Sequence, residues 1–206
     1  MSTQQNKSGE KSSETNTHCE YRISLEAQIR ECYGRVVYTH KTQEKCADLL
    51  LKKNSRIKFW QLLLSAVTAG TFLVDLFGDG NIATIIGALF SVALLVLNSY
   101  TQDIELVSVA EEHKNAAIKL WNIRENYLSL LTDFHNLTTD VIIEKRDELQ
   151  IELLDIYQGS PRTNYKAYKK ASIGLKNNEE LTFSDDEIDL LLPQELRKNK
   201  TERNKI

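Results

Sequence analysis

The sequence predicts an all-α membrane protein, in which a two-transmembrane helical hairpin carries long cytoplasmic arms of coiled-coil-like helix. Three observations lead there. One apolar stretch, Phe59 to Tyr100, contains only Asp75 and Asp79 as charged residues in a chain that is 27% charged. A short break, Gly78-Asp79-Gly80-Asn81, cuts it into two similar halves. Apolar residues at heptad spacing run up to it and away from it. The mean hydropathy of the whole chain is that of a soluble protein, so only a windowed reading exposes the segregation.

Each half of the stretch, about 59–77 and about 82–100, is close to the ~20 helical residues that a hydrocarbon core requires. Neither half contains Pro, and the break between them has turn chemistry. A helix of a soluble bundle would keep Lys, Glu or Arg on its outer face. None occurs between Phe59 and Tyr100, and bare Leu, Ile, Val and Phe in water would aggregate. Lys52, Lys53, Arg56 and Lys58 precede the first span, and the connecting turn has no basic residue. The positive-inside rule then places both termini in the cytoplasm.

The polar residues within the spans cluster. At 100° per residue, Gln61, Ser65, Thr68 and Asp75 fall within roughly 80° of one another, with Phe72 among them. Thr84, Gly87, Ala88, Ser91 and Asn98 share a face of the second helix, with Leu95 among them. Two readings stay open. Small and hydroxylated residues let helices pack closely in lipid. They also supply a wettable lining when several hairpins assemble, which makes Gln61, Ser65, Thr68, Phe72, Asp75, Thr84, Ser91 and Asn98 pore-lining candidates. Asp75 lies near the outer interface, where its burial costs less.

Before the hairpin, Leu25, Ile29, Cys32, Val36, Thr39, Gln43, Cys46 and Leu50 step by four and three, and Ile57 continues the series. This predicts a helix from about Tyr21 that runs directly into the first span. After it, Leu106, Val109, His113, Ala116, Leu120, Ile123, Tyr127, Leu130, Phe134 and Leu137 do the same, while charged residues such as Glu111, Lys114, Lys119 and Glu125 lie off the seam. The second arm is expected to continue the second span without a break to about Phe134, about 50 Å below the membrane. The arms pair with each other and with neighbouring copies, which makes Leu106, Val109, His113, Leu120, Ile123, Tyr127 and Leu130 an oligomer seam. His113 is read as a packed seam residue with one hydrogen bond, with a pH switch as the alternative. A further helix covers about Val141 to Tyr157.

Three regions follow: a disordered polar leader (1–19), the two-span helical domain (20–158), and a C-terminal extension (159–206). The leader has no apolar core of a signal peptide. In the extension, Tyr165-Lys166-Ala167-Tyr168-Lys169-Lys170 reads as a solvated helix face, with contact to anionic lipid as the alternative. Ser184 caps Asp185-Asp186-Glu187, and Ile188, Leu190, Leu191 and Leu192 follow before Pro193, as in a small docking helix.

The formal net charge of -3 gives no hint of nucleic-acid binding, no basic stripe with interleaved aromatics occurs apart from Tyr165–Lys170, and direct nucleic-acid binding is not expected. Cys19, Cys32 and Cys46 have no CxxC spacing and read as buried thiols in a reducing compartment. His18, His40, His113 and His135 lack metal-ligand spacing. No phosphate loop, GxGxxG, HExxH or GxSxG occurs. The chain is read as no enzyme, with neither cofactor nor metal.

The Leu25-Glu26-Ala27-Gln28-Ile29 arm, Lys52–Lys58 leading into Phe59-Trp60, the Gly78-Asp79-Gly80-Asn81 turn, and the helix with Ala110-Glu111-Glu112-His113-Lys114 and Leu120-Trp121 together resemble the SLATT superfamily. These are two-transmembrane effector domains associated with SMODS nucleotidyltransferases and SLOG sensor domains. The resemblance covers about Leu25 to Phe134 and rests on architecture. It implies an antiviral membrane effector of the bacterial inner membrane, which forms an oligomeric pore or otherwise disrupts the bilayer. No sensor is fused to this stretch, so the implied trigger acts in trans: a nucleotide-signal producer, a sensor protein or a reverse transcriptase. The alternative is a non-conducting, membrane-anchored coiled-coil scaffold that recruits a soluble partner.

Overall fold

The computed structural model of the chain describes residues 4–77, 81–102, 105–194 and 197, with the side chains of 4–17, 75–77, 81, 83 and 102 excluded. Among the described residues there are six helices and no strand. They are α1 (Gln4–Phe77), α2 (Asn81–Gln102), α3 (Leu106–Thr132), α4 (Thr139–Gln158), α5 (Tyr165–Lys176) and α6 (Asp185–Leu191).

Helix α1 has 74 residues, about 110 Å at 1.5 Å per residue. The first arm and the first span are thus one uninterrupted helix, as the heptad series predicts. Its helical backbone starts at Gln4 and takes in most of the polar leader that composition reads as disordered. That segment has no Pro, and extending an existing helix avoids the cost of nucleating a new one. The Gly78–Gly80 part of the turn lies outside the described residues.

The second arm differs from expectation. Helix α2 ends at Gln102, Glu105 is non-helical, and α3 begins at Leu106. The span and the arm are therefore separate helices, although no Pro or Gly marks the junction. Helix α3 returns along α1 in the opposite direction, shown by the contact of His113 with Gln43 near the hairpin and of Arg22 with Phe134 at the remote end.

The heptad residues of the two arms meet. Leu25, Ile29, Cys32 and Val36 from α1 pack with Leu120, Ile123, Tyr127, Leu130 and Phe134 in one core. Leu120, Ile123 and Tyr127 have no exposed surface. The seam is thus closed inside a single chain by α1, the pairing of the arms with each other that the sequence predicts, and these covered side chains would face a neighbour only if the bundle opened. Val109 is the exception, 37% exposed. Helix α4 folds back over this pair and adds Ile142, Leu149 and Ile156 at seven-residue spacing. Arg22 fastens the α3–α4 turn. Its guanidinium donates to the carbonyls of Phe134 (2.9 Å) and Leu137 (3.2 Å) and to Thr139 Oγ1 (3.2 Å), which satisfies acceptors that a helix end leaves open.

Helix α5 lies on α1 through Ala167, Ala171 and Gly174, all buried. Asn164 caps it by accepting from the Ala167 backbone N–H at 2.9 Å. The stretch read as a solvated face is therefore solvated on one side and docked on the other. Helix α6 carries the expected cap as a full capping box between Ser184 and Glu187.

Candidate functional site: the hairpin and the polar layer of the bundle

The α1–α2 hairpin is antiparallel and close-packed. Gln61 Nε2 donates to Asn98 Oδ1 (2.9 Å) and to Thr101 Oγ1 (3.2 Å) near one end. Toward the turn, Thr71 abuts Gly87, where an added Cβ would sit 2.5 Å from Thr71 Oγ1. Gly87 therefore permits the close approach that small residues provide between helices in lipid. Leu64, Thr68 and Thr71 of α1 and Phe90, Leu94, Leu97 and Thr101 of α2 complete this partly buried contact. The Thr68 hydroxyl donates to the Leu64 carbonyl at 2.9 Å, so its hydrogen bond closes within the helix.

The pore-lining candidates are thereby divided. Gln61 and Thr68 belong to the hairpin's own contact. Ser65, Phe72, Thr84, Ser91 and Asn98 are exposed, Phe72 by 67%. The side chain of Asp75 lies outside those described. The exposed group shares one location. On each helix it is displaced by roughly 60–100° from the contact line in the same rotational sense. Because the helices are antiparallel, equal rotation brings both groups to the same edge of the hairpin. The opposite edge has Leu63, Val74, Ile86 and Ala93, all exposed and apolar apart from their backbone. The hairpin is thus amphipathic from edge to edge.

Apolar surface of this extent has no cover among the described residues: the span segments of both helices are almost wholly exposed. Length, composition and exposure together make this a membrane protein with two spanning helices.

Beside the hairpin, the bundle core turns polar. His113 Nδ1 donates to Gln43 Oε1, and Gln43 Nε2 donates to the Pro161 carbonyl at 3.4 Å. This ties α1, α3 and the α4–α5 turn together. His40 stands one turn away with Nε2 at 3.8 Å from Glu44, and its buried Nδ1 has no partner among the described residues. Burial lowers the pKa of both histidines; Glu44 and Glu112 oppose this without reversing it. Both are neutral at pH 7. Asn164 Nδ2 approaches the Cys46 thiol at 3.7 Å, and burial pushes that thiol's pKa up, away from thiolate reactivity. Cys32 is also buried, but Cys19 is exposed, contrary to its reading as a buried thiol.

Outside this layer, Glu180 reaches back from the loop after α5 to Lys41 (2.8 Å) and Lys45 (3.0 Å). Hydrogen bonds from these two lysines hold its carboxyl down at about 2. Glu179 and Leu181 on either side adopt positive φ, 50° and 81°, a cost that non-Gly residues accept only under outside constraint. Gly174 leaves room for the loop, since an added Cβ would come within 2.9 Å of the Glu180 carboxyl. Sequence reading did not find this strap, because the pairing spans more than a hundred residues. The polar layer had a signal: Gln43 and His113 both sit on heptad seams, on either side of the hairpin and within about five turns of it.

Between α1 and α3 an open groove of about 610 Å³ is lined by Lys41, Lys45, Lys114, Ile118 and Trp121, with Glu44 and Asp48. Among the described residues no three His, Cys, Asp or Glu side chains gather as a metal site would require. The chemistry of this arrangement is that of packing, membrane insertion and charge pairing.

The family model for SMODS and SLOG-associating 2TM effector domain family 4 matches residues 25–187. No curated protein and no solved structure matches the chain.

Proposed function

The chain belongs to the SMODS and SLOG-associating 2TM effector domain family 4, and on that premise we propose that it is a membrane effector of bacterial antiviral defence that assembles into a pore. It resides in the inner membrane with both termini in the cytoplasm. A partner in trans triggers it: an enzyme that makes a nucleotide signal, a sensor protein or a reverse transcriptase. It carries out no enzymatic step.

The observation that supports this reading best is the edge-to-edge amphipathicity of the hairpin. Two helices enclose no lumen. Several hairpins around an axis do, with the edge of Ser65, Thr84, Ser91 and Asn98 facing inward and Leu63, Val74, Ile86 and Ala93 facing lipid or neighbours. Phe72 lies on the polar edge and supplies an apolar constriction, of the kind that gates by dewetting. A passive anchor requires no polar edge.

Phe72→Ser is expected to depolarise cells without the trigger, read by a membrane-potential dye. Ser65→Leu combined with Ser91→Leu is expected to insert normally and to abolish depolarisation on activation. If the double-Leu protein still depolarises cells and Phe72→Ser is silent, the polar edge lines no pore and the scaffold reading takes its place.

A further inference from the structure

The contact of α5 with α1 joins weak apolar packing to strong charge pairing and backbone strain. Helix α5 meets α1 through Ala167, Ala171 and Gly174, with Tyr168 beside the Tyr38 ring at 6.0 Å between centroids. Two alanines and a glycine bury little apolar area, so this face alone holds the helix weakly. The loop behind it does the fastening. The Glu180 carboxylate meets Lys41 at 2.8 Å and Lys45 at 3.0 Å, and all three side chains are between 12% and 31% exposed. The Glu180 backbone N–H donates to the Gly174 carbonyl at 3.0 Å. On either side, Glu179 and Leu181 sit at φ 50° and 81°, a region unfavourable for any residue but Gly. The loop is thus a strained strap pinned by two ion pairs. Without the pins, relief of strain favours its departure.

Its placement gives that departure a consequence. At 100° per residue, Tyr38, Lys41 and Lys45 lie roughly 140–200° around α1 from Val36, which packs in the core with α3. Helix α1 is therefore gripped from two sides, by α3 on its seam and by α5 and the strap on the flank turned away. It runs unbroken into the first span, and Lys45 stands about 21 Å before Phe59 along it. Helices α2 and α3 are separate, so a turn of α1 against α3 need not carry the second span with it. Such a turn moves Ser65 and Phe72 relative to Thr84 and Ser91. The Glu180 carboxyl, held at about 2, stays charged near neutral pH, so a competing contact and not protonation would free it.

We propose that α5 and the loop through Glu180 form an autoinhibitory strap: pairing with Lys41 and Lys45 holds α1 in its resting rotation, and release of the strap activates the hairpin. This rests on the pore reading above and adds its regulation.

The test uses the full chain, in lipid nanodiscs for hydrogen exchange and in cells for a membrane-potential dye. Glu180→Lys puts like charges together. It is expected to raise exchange at the α5 amides roughly tenfold or more, with the α1–α3 core unchanged, and to depolarise cells without the trigger. Gly174→Ala reaches the same contact by another route. Its methyl would crowd the Glu180 carboxyl, while Ala favours the helical state of α5. It is expected to act in the same direction as Glu180→Lys, and loss of α5 helicity cannot account for that. Glu180→Lys combined with Lys41→Glu and Lys45→Glu pairs opposite charges again and is expected to return both readings to wild type. Wild-type exchange at α5 in Glu180→Lys would overturn the strap, as would depolarisation that persists in the triple variant. A freed α5 in polarised cells, where Phe72→Ser still depolarises, would overturn the autoinhibition and leave the pore reading standing. If neither Glu180→Lys nor Phe72→Ser depolarises cells, both readings fall.

Discussion

At Gln43 and His113 the packed interface of α1 and α3 becomes polar, and with His40 it holds two neutral imidazoles in the bundle. Their lowered pKa values have a definite consequence for stability. The unfolded chain takes up protons near the ordinary histidine value of 6.5, whereas the folded chain resists until lower pH. Stability is therefore complete above about 6.5 and falls as pH decreases below it. Thermal unfolding followed by circular dichroism is expected to show a lower midpoint at pH 5.5 than at pH 7.5. His40→Leu combined with His113→Gln is expected to flatten that slope. An unchanged slope would mean that other groups govern it. Glu180 acts in a separate window, since a carboxyl held near 2 contributes above about 4.5 and loses its effect only in stronger acid.

At the scale of the helix, the α3 seam was legible in the sequence as a repeat, but its partner was not. A heptad pattern states that one face must be covered. It does not state whether the cover comes from the same chain. Leu120 has no exposed surface and sits among Ile29, Val36 and Tyr127. Leu120→Asp is thus expected to cost the bundle roughly 3 kcal/mol or more through a buried, unpaired carboxyl. The arms should become sensitive to limited proteolysis, while the hairpin still resists alkaline extraction from membranes. Proteolytic resistance equal to wild type would remove Leu120 from the core. Helix α5 makes the same point. Its basic, aromatic start was visible in the sequence. Its docking was not, because Ala167, Ala171 and Gly174 give no strong apolar signal. Asn164 lies beside Cys46, about 20 Å before Phe59 along the helix, which weighs against lipid contact for this segment.

For the whole molecule, the orientation proposed above rests on charge outside the spans. Lys52, Lys53, Arg56 and Lys58 precede Phe59, and the turn carries no basic residue. Asp79→Cys, in a chain with Cys19, Cys32 and Cys46 replaced by Ser, is expected to react with an impermeant maleimide in intact spheroplasts. Reaction only after permeabilisation would reverse the proposed topology.

The sequence by itself determined the all-helical class, the two spans and the single long helix that joins the first arm to the first span. Each is a local property: hydropathy within a window, repeat spacing and the absence of Pro all act within a few turns. It also placed polar residues on one face of each span. The tertiary structure decided the rest. It closed the α3 seam against α1 of the same chain and separated α2 from α3. It joined Gln61 to Asn98 across the hairpin and placed Thr68 in the same contact, and it turned Ser65 and Ser91 to a common edge. It brought Glu180 to Lys41 and Lys45. These outcomes depend on which of several apolar or charged faces meet. That is settled by the free energy of packing the whole chain at once, and no single segment carries it.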